Sequence, residues 1–303
     1  MNKKMISEMC QELNIKYTIF SKDWVTKLEK DGKIRYLSGN KFDFNGHGVG
    51  LVMDDKYAFY EALNNIGVKA CIHQIIYREN NKYDYAKGCH TKEDLLEYFN
   101  KFNKDVVVKP NLGALGIDVY HIQDEKELIS KSKELLEENF SYSICPYYDI
   151  KYEYRLIVLN NQIKLIYKKI HPVVTGDGKS TIKELLIKFN KYFFENKILP
   201  NDILKKGETY TYEWRFNLHQ GSVASLDIDD KLKEQLSEIA LKVTKGLGIT
   251  FASVDIIELY NGELLVLEAN SGVTIDKVTN FIPNGYNIAK EIYKEAIVKM
   301  FED

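Results

Sequence analysis

Hydrophobic and polar positions follow two rhythms along this chain. Strand patterns, alternating or continuously apolar, occur in KYTIF, WVTKLE, KIRYLSG, ACIHQIIY, DVVVKP, GIDVYHI and EYRLIVLNNQIKLIYKKI. Apolar residues three and four apart predict helices in MNKKMISEMCQELNIKY, over 54–68, in TKEDLLEYFNKF and DEKELISKSKELLEEN, over about 230–247 and from near Asn287. Because short turns join many neighbouring strands, the pattern predicts an α+β protein with largely antiparallel sheets.

The stretch TFASVDIIELYNGELLVLEAN has the pattern of a hairpin. Asn261 and Gly262 form the pair favoured in a two-residue type I′ turn. Counting back from that turn places Asp255 opposite Glu268 on the same face of the sheet. Asn270 lies two residues further along and joins that face.

Two carboxylates in this arrangement repel each other, so a purely structural sheet should avoid it. For Asp255 alone, a structural role as an exposed edge residue or as the partner of a lysine is the better interpretation. Asp255, Glu268 and Asn270 together offer the oxygen ligands that Mg²⁺ takes from proteins alongside substrate phosphates. The triple therefore favours a metal site over a structural sheet.

The stretch DVVVKPNLGALGIDV places Lys109 at the end of a strand, before a loop with Gly113 and Gly116. A strand-end lysine and a glycine loop can hold a phosphate through backbone N–H groups and the ammonium charge. The pattern alone is more typical of a plain hairpin.

The stretch GDGKST ends like a phosphate-binding Walker loop, but the glycine that such a loop needs earlier is Val173. It is better interpreted as a tight turn before a helix. Thr181 and Glu184 match a capping box at the start of that helix.

A second hairpin is predicted around a turn at Asn160 and Asn161. This turn sets Glu153 opposite Lys168, with Arg155 on the same face. The pattern alone favours a cross-strand salt bridge.

The stretch YEWRFNLHQGSVAS predicts a strand before a Gly-Ser turn, with Arg215 and Asn217 on one face. The pair could clamp an anion, and the pattern does not decide between this role and a structural one.

Composition narrows the classes of function. The 303 residues carry a formal net charge of -2 with 28% charged residues, so nothing argues for nucleic acid as a partner. The N-terminal segment lacks the apolar core of a signal peptide, and no apolar run would span a bilayer. The cysteines are far apart without metal-ligand spacing, which indicates reduced thiols and a cytoplasmic protein. They are Cys10, Cys71, Cys89 and Cys145.

Seven segments in this order resemble the ATP-grasp superfamily over about residues 53–303. They are MDDKYAFYEAL, VVVKPNLGALGIDV, YEYRLIVLNNQI, VVTGDGKSTIKELL, RFNLHQG, SVDII and LEAN. The fourth is similar to the ATP-grasp module of cyanophycin synthetases and bifunctional glutathione synthetases. The fifth, within WRFNLHQGSVAS, resembles the ligases that add glutamate to a ribosomal protein.

The resemblance implies the ATP-grasp fold, with two α+β lobes of largely antiparallel sheets clasping ATP and a short N-terminal α/β lobe. It implies an N-terminal lobe at 1–52, a central lid lobe at 53–148 and a C-terminal lobe with the metal site at 149–303.

The resemblance also assigns residues to the nucleotide. Lys56 and Lys109 would contact the ATP phosphates, Gly113 and Gly116 would lie in the lid loop, and Glu153 would bind the ribose. The family usually has a Val-Glu hinge for adenine, and Pro146 replaces that glutamate here. Backbone groups around Cys145 to Tyr147 would then hold adenine.

At the reacting groups, Arg215 and Asn217 would contact the γ-phosphate and the acyl phosphate, with Lys169 as a looser match. Asp255, Glu268 and Asn270 would bind Mg²⁺, in agreement with the hairpin register derived above. Two Mg²⁺ ions are expected, with Mn²⁺ as a substitute.

The expected activity is an ATP-dependent carboxylate–amine ligase that forms an amide bond through an acyl phosphate. Amino acids or a small peptide are the expected substrates. A homodimer is one possible state of association. Two alternatives remain: an ATP-grasp kinase for a small molecule, and a non-catalytic nucleotide-binding partner protein.

Overall fold

A computed structural model describes residues 2–78 and 92–302 of the chain. Its helices are α1 (Lys3–Glu12), α2 (His47–Asp54), α3 (Lys56–Asn65), α4 (Lys92–Lys101), α5 (Glu125–Glu138), α6 (Ile182–Phe189), α7 (Lys191–Phe194), α8 (Asp230–Leu247) and α9 (Gly285–Glu302). Cys89 lies outside the described residues, and Cys10, Cys71 and Cys145 are buried free thiols.

The strands are β1 (Lys16–Phe20), β2 (Val25–Lys30), β3 (Lys33–Ser38), β4 (Lys41–Phe42), β5 (Gln74–Tyr77), β6 (Val106–Pro110), β7 (Tyr120–Ile122), β8 (Ser141–Pro146), β9 (Ile150–Leu159), β10 (Gln162–Ile170), β11 (Val173–Thr175), β12 (Thr209–Thr211), β13 (Val223–Ser225), β14 (Phe251–Leu259) and β15 (Leu264–Asn270). Every ladder between them is antiparallel, which confirms the predicted α+β class.

The strands form four sheets. Strands β1 to β4 make an N-terminal meander, and the central sheet has the order β5-β8-β6-β7. The large C-terminal sheet has the order β13-β10-β9-β14-β15, and β11 pairs with β12 beside α6. The division into lobes at residues 52 and 148 stays a prediction.

The large sheet is covered by apolar residues on both faces. Leu156, Val158 and Val254 point towards α8, together with apolar residues of α3. Ile157 and Phe251 point the other way and pack with α1, α9 and the N-terminal meander. Because successive residues of a strand alternate between faces, one sheet supports two cores.

Three local features of the fold bear on the sequence-based expectations. The capping box is confirmed: Thr181 and Glu184 satisfy each other's backbone N–H groups at the start of α6. Helix α2 was not predicted. The strand predicted around Arg215 and Asn217 is wrong, because the chain is irregular there and enters a 3-10 turn at Leu218–Gln220.

None of the helices within residues 2–78 and 92–302 is long and apolar enough to cross a bilayer.

Candidate active site

A row of polar side chains crosses the large sheet from β10 to β15. Tyr167 pairs with Arg155, Arg155 with Asp255, and Asp255 with Glu268. Directly opposed residues point to the same face, so four consecutive strands contribute one side chain each to this row. Asp255 is only 1% exposed. Charged groups at such depth are rare unless they are paired or bind a ligand.

The predicted pairing of Asp255 with Glu268 is confirmed, but the predicted turn and the register next to it are wrong. Gly262 has a φ of +83° and donates its N–H to the Leu259 carbonyl at 2.9 Å, whereas the residue before it does not have a positive φ. The loop therefore has three residues and shifts the pairing by one. A bulge at Leu267 shifts it back, because Asp255 faces Glu268 while the next residue of β14 faces Val266.

The register of the other hairpin is corrected by one residue. Asn160 and Asn161 have φ of +50° and +57°, as the predicted turn requires. A bulge soon after the turn then places Lys169, and not Lys168, opposite Glu153. Lys169 and Glu153, both predicted for the site, are therefore directly opposite each other on β10 and β9.

Lys169 and Arg155 neutralise the buried acids. The Arg155 guanidinium donates to both oxygens of Asp255, at 2.6 and 2.5 Å. The Lys169 ammonium donates to Asp255 Oδ2 at 3.0 Å and also to Glu153. Sequence reasoning placed Arg155 beside Glu153 but not in the site, because only the pairing of β9 with β14 brings it to Asp255.

The surroundings shift the pKa values of Asp255 and Glu153 in opposite directions. Burial acts to raise the pKa of Asp255, but Arg155 and Lys169 outweigh it and lower that pKa to about 2. Burial raises the pKa of Glu153 to about 7, since Lys169 offsets only part of the desolvation and Asp255 adds repulsion. Burial and Arg155 act to lower the pKa of Lys169, yet Asp255 and Glu153 leave it raised.

Glu268 and Asn270 are half-buried and adjacent, with Asn270 donating its amide N–H to Glu268 at 3.0 Å. Among residues 2–78 and 92–302, no group of three His, Cys, Asp or Glu side chains could hold a metal by itself. Asn270 supplies a third oxygen, so the donors on this face are two carboxylates and an amide. They fit a hard cation, for which Asp255 would have to be shared with Arg155 and Lys169.

A buried hydroxyl without a partner lies beside these residues. Ser253 pairs with Asn270, and within the described part of the chain its hydroxyl has no hydrogen bond. An unsatisfied buried polar group costs about 1–3 kcal/mol, so such atoms indicate a place prepared for a ligand.

The two predicted phosphate lysines approach each other from different elements. Lys56 begins α3 and donates to the Gly113 carbonyl at 2.7 Å and to the Asn111 carbonyl at 3.2 Å. Burial and the nearby charge of Lys109 lower the pKa of Lys56 to about 8. A desolvated lysine near a second cation is stabilised by an anion, which suits a phosphate.

The predicted lid loop contacts the predicted anion clamp. Arg215 Nη1 donates to the Gly116 carbonyl at 2.6 Å, and the Asn217 amide donates to the Leu115 carbonyl at 2.8 Å. Glu213, which sequence reasoning did not assign, accepts two guanidinium N–H groups of Arg215 at 2.9 Å each. Gly116 has a φ of +70°, which a residue with a side chain adopts only with strain.

The predicted adenine hinge is partly engaged with the protein itself. Cys145 is buried, and the Tyr147 N–H donates to the Asp105 carbonyl at 2.9 Å. The Tyr147 ring stacks on His121 with 3.9 Å between centroids, and Trp214 lies 6.1 Å from Tyr147. Aromatic surfaces therefore flank the hinge, and the roles predicted for Cys145 and Tyr147 stay predictions.

Comparison with known families gives a partial domain match. Residues 201–296 match the RimK-like ATP-grasp domain. The glutathione biosynthesis bifunctional protein of Clostridium perfringens is 26% identical over 226 residues, covering 65% of this chain and 29% of that protein. Its counterpart in Lactiplantibacillus plantarum is 23% identical over 268 residues, or 86% of this chain and 33% of that protein. The chain thus spans about a third of the length of these relatives.

Two crystal structures show the same fold. A bifunctional glutathione synthetase from Pasteurella multocida has a TM-score of 0.56 at 17% identity, covering 96% of this chain and 43% of that one. A D-alanine–D-alanine ligase from Bacillus anthracis also has a TM-score of 0.56 at 17% identity, covering 85% of this chain and 69% of that one. The resemblance predicted from the motifs is confirmed: this chain has the ATP-grasp fold, with a match to the RimK-like ATP-grasp domain at residues 201–296.

Proposed function

We propose that the protein is an ATP- and Mg²⁺-dependent carboxylate–amine ligase that forms an amide bond. The observation that carries this proposal is the row of Arg155, Asp255 and Glu268 across three adjacent strands, with Lys169 beside it. It combines buried cations with oxygen ligands and contains no serine or cysteine nucleophile. Such a site suits phosphoryl transfer, which depends on positioning and charge neutralisation.

The reaction has two steps. A carboxylate oxygen of one substrate attacks the γ-phosphorus of ATP, the bond to ADP breaks, and an acyl phosphate forms. The nitrogen of an amine then attacks the acyl carbon, the bond to phosphate breaks, and the amine loses a proton. The products are an amide, ADP and phosphate.

Each group of the site has a proposed role. Lys56 and Lys109 bind the phosphates of ATP, and Glu153 binds its ribose. Arg215 and Asn217 orient the γ-phosphate and the acyl phosphate.

The remaining groups control the charge. Lys169 stabilises the transferred phosphoryl group, and Asp255, Glu268 and Asn270 would hold Mg²⁺. A bound Mg²⁺ neutralises phosphate charge, and Arg155 keeps Asp255 ionised for that ligand role.

The lid loop has a protective role. An acyl phosphate hydrolyses readily, so water must be excluded while the amine reacts. Arg215 and Asn217 already hold the lid through the carbonyls of Gly116 and Leu115. Closure over the substrates would therefore use contacts that this chain makes without a ligand.

The decisive experiment screens pairs of amino acids and short peptides for ADP release and identifies the product by mass. A ligase yields ADP, phosphate and an amide. ADP with a phosphorylated product would instead establish the kinase, and nucleotide binding without turnover of any pair would establish the non-catalytic alternative. The names of the relatives, which refer to glutathione synthesis and D-alanine ligation, support amino acids or a small peptide as substrates.

Glu268→Ala tests the metal assignment within the same assay. We expect turnover to disappear while the fold is kept, because Glu268 is half-buried and accepts only from Asn270 among the described residues. Glu234→Ala, at an exposed position of α8, is the matched control and should remain active. An active Glu268→Ala enzyme would refute the assignment.

Finer features of the proposal stay predictions. They are two Mg²⁺ ions with Mn²⁺ as a substitute, adenine held by backbone groups near Pro146, a cytoplasmic location and a homodimer. Sedimentation of the purified chain would test the last of these.

A further inference from the structure

A cavity of about 190 Å³ lies between α2, β4 and the end of β15. Its lining includes none of the residues assigned above to the row of charges, the lid loop or the hinge. Its lining residues are Lys41, Phe42, Asn45, Gly46, His47, Gly50, Leu51, Asp54 and Ser271. We refer to it as the α2 pocket.

One face of α2 forms a wall of this pocket. His47, Gly50, Leu51 and Asp54 are spaced at three, four and seven residues, which places them on one side of a helix. Gly46 is the N-cap, and no side chain caps the helix. The first backbone N–H groups of a helix carry partial positive charge and bind anions, so this end of the pocket suits a carboxylate.

Ser271 gives independent support for a ligand here. The residue is 6% exposed, and its hydroxyl is buried without a hydrogen-bond partner among the described residues. It lines the same pocket as Gly46 and His47. A buried hydroxyl without a partner costs stability, and a ligand oxygen in the pocket would satisfy it.

The remaining walls set the size and charge of a ligand. Lys41 and Asp54 form an ion pair at 2.6 Å at one side of the pocket, so both a cation and an anion are within it. Phe42 and Leu51 supply apolar surface. The volume is well below the roughly 300–1,000 Å³ of pockets for drug-sized ligands, and it suits a molecule of amino-acid size.

The position of the pocket connects it to the reaction. Ser271 directly follows Asn270, a candidate metal ligand, and consecutive Cα atoms are about 3.8 Å apart. The backbone that bounds the pocket at Ser271 therefore continues directly into β15, the strand that carries Glu268 and Asn270.

We propose that the α2 pocket binds the carboxylate of an amino acid or short peptide, at the end of the substrate that does not react. The N–H groups of Gly46 and His47 and the Ser271 hydroxyl receive the carboxylate, and Asp54 attracts the ammonium group. The assignment as a substrate pocket rests on the proposed ligase activity, whereas binding itself does not.

Binding can be tested without nucleotide by ligand-observed NMR, using a panel of L-amino acids and the corresponding amino-acid amides. At least one amino acid should bind the whole chain, and its amide, which lacks the carboxylate, should not. If no amino acid binds, or if the amide binds equally well, the proposal is overturned.

Two glycines of α2 provide a matched pair of variants. A Cβ built on Gly48 or on Gly50 meets no atom within 4 Å, so both helix positions accept a side chain. Only Gly50 lines the pocket. Gly50→Leu should abolish binding of the amino acid, and Gly48→Leu should retain it. Equal binding by both variants would contradict the assignment.

Ser271→Ala separates a binding role from a structural one. Losing a hydrogen bond to a charged carboxylate should weaken binding about tenfold or more. The melting temperature without ligand should stay the same or rise, because the substitution removes an unpartnered buried hydroxyl. Unchanged affinity would overturn the role of Ser271.

The outcomes for the pocket and for the ligase are distinguishable. If ADP release and amide formation are found while Gly50→Leu binds and reacts like Gly48→Leu, the pocket proposal fails and the ligase stands. If no substrate pair releases ADP but Gly50→Leu still blocks amino-acid binding, the pocket is kept and the ligase fails.

Discussion

Single residues in this site are controlled by which charge lies next to which. Asp255 and Glu153 are both buried acids on one face, yet burial raises the pKa of Glu153 while Arg155 and Lys169 lower that of Asp255. The sequence shows that all four residues lie in predicted strands. It does not show that the guanidinium is paired with Asp255, since that follows from β9 lying next to β14.

Replacing Arg155 by methionine should destabilise the protein. Asp255 is 1% exposed and would lose its bidentate partner, although Lys169 would remain. Breaking a buried ion pair in this way costs about 3 kcal/mol. Denaturant unfolding measures the loss, with Lys131→Met as the control, because that lysine pairs with the half-exposed Glu134 and should matter by less than about 1 kcal/mol. If both variants lost the same free energy of unfolding, the Arg155–Asp255 pair would not behave as a buried ion pair.

Glu153 should make stability depend on pH near neutrality. Its pKa is about 7 in the folded protein and about 4.3 in an unfolded chain. Between these values the folded state holds the proton and the unfolded state does not, so the free energy of unfolding falls as pH rises, by up to about 1.4 kcal/mol per pH unit. Burial and the charges of Lys109 and Lys56 lower the pKa of His73, which contributes a slope of the opposite sign over the same range, so the test is the difference between variants. From pH 4.5 to 7, Glu153→Gln should remove the falling contribution to the free energy of unfolding, whereas the exposed Glu234→Gln should leave it in place.

Elements position these residues through turns and bulges. In both hairpins of the large sheet, a bulge shifts the register by one residue, which moves side chains relative to the partner strand. The predicted Asp255–Glu268 pair is right because the three-residue loop and the bulge compensate each other. The predicted Glu153–Lys168 pair is wrong because nothing compensates the bulge in β10. Bulges depend on packing against the rest of the sheet, so local turn rules do not predict them.

The lid loop allows a test at the same scale. Gly116 has a φ of +70°, and a Cβ there would lie 3.1 Å from the Asn217 amide that holds the lid. Gly116→Ala should therefore open the lid and speed proteolysis within residues 111–119. Gly178→Ala is the control: its φ is +79° but nothing lies closer than 3.8 Å. Both substitutions should cost about 1–2 kcal/mol of backbone strain, and only the first should expose the lid. If both variants were cleaved equally fast in the lid loop, the Asn217 amide would not be what holds the lid.

The whole molecule brings charged groups of the central sheet and of the large sheet near Lys56. Burial and Lys109 of β6 lower the pKa of Lys56, and Glu268 of β15 acts to raise it. Lys56 itself begins α3, which packs on the large sheet. A ligand that binds both sheets would stabilise the folded chain as a unit.

ATP with Mg²⁺ should raise the melting temperature measurably. At a hundred times its dissociation constant, a ligand adds about 2.7 kcal/mol, which corresponds to about 4 °C for a chain of 303 residues. Glu268→Gln should lose the part of the shift that depends on Mg²⁺ and keep the part due to ATP alone, because Lys56 and Lys109 are unchanged. An undiminished Mg²⁺ effect would contradict the metal assignment. Calorimetry without Mg²⁺ provides the control.

The sequence by itself determined most of the elements and the candidate residues, because hydrophobic periodicity, turn residues and caps act over a few neighbours. It identified the acidic hairpin, the lysine before the glycine loop and the capped helix at Thr181. The tertiary structure alone decided that Arg155 neutralises Asp255, that Arg215 donates to the Gly116 carbonyl, and that α2 and Ser271 enclose a pocket. These contacts join residues up to about 225 positions apart, and strand order and bulges select them through packing that no short stretch contains.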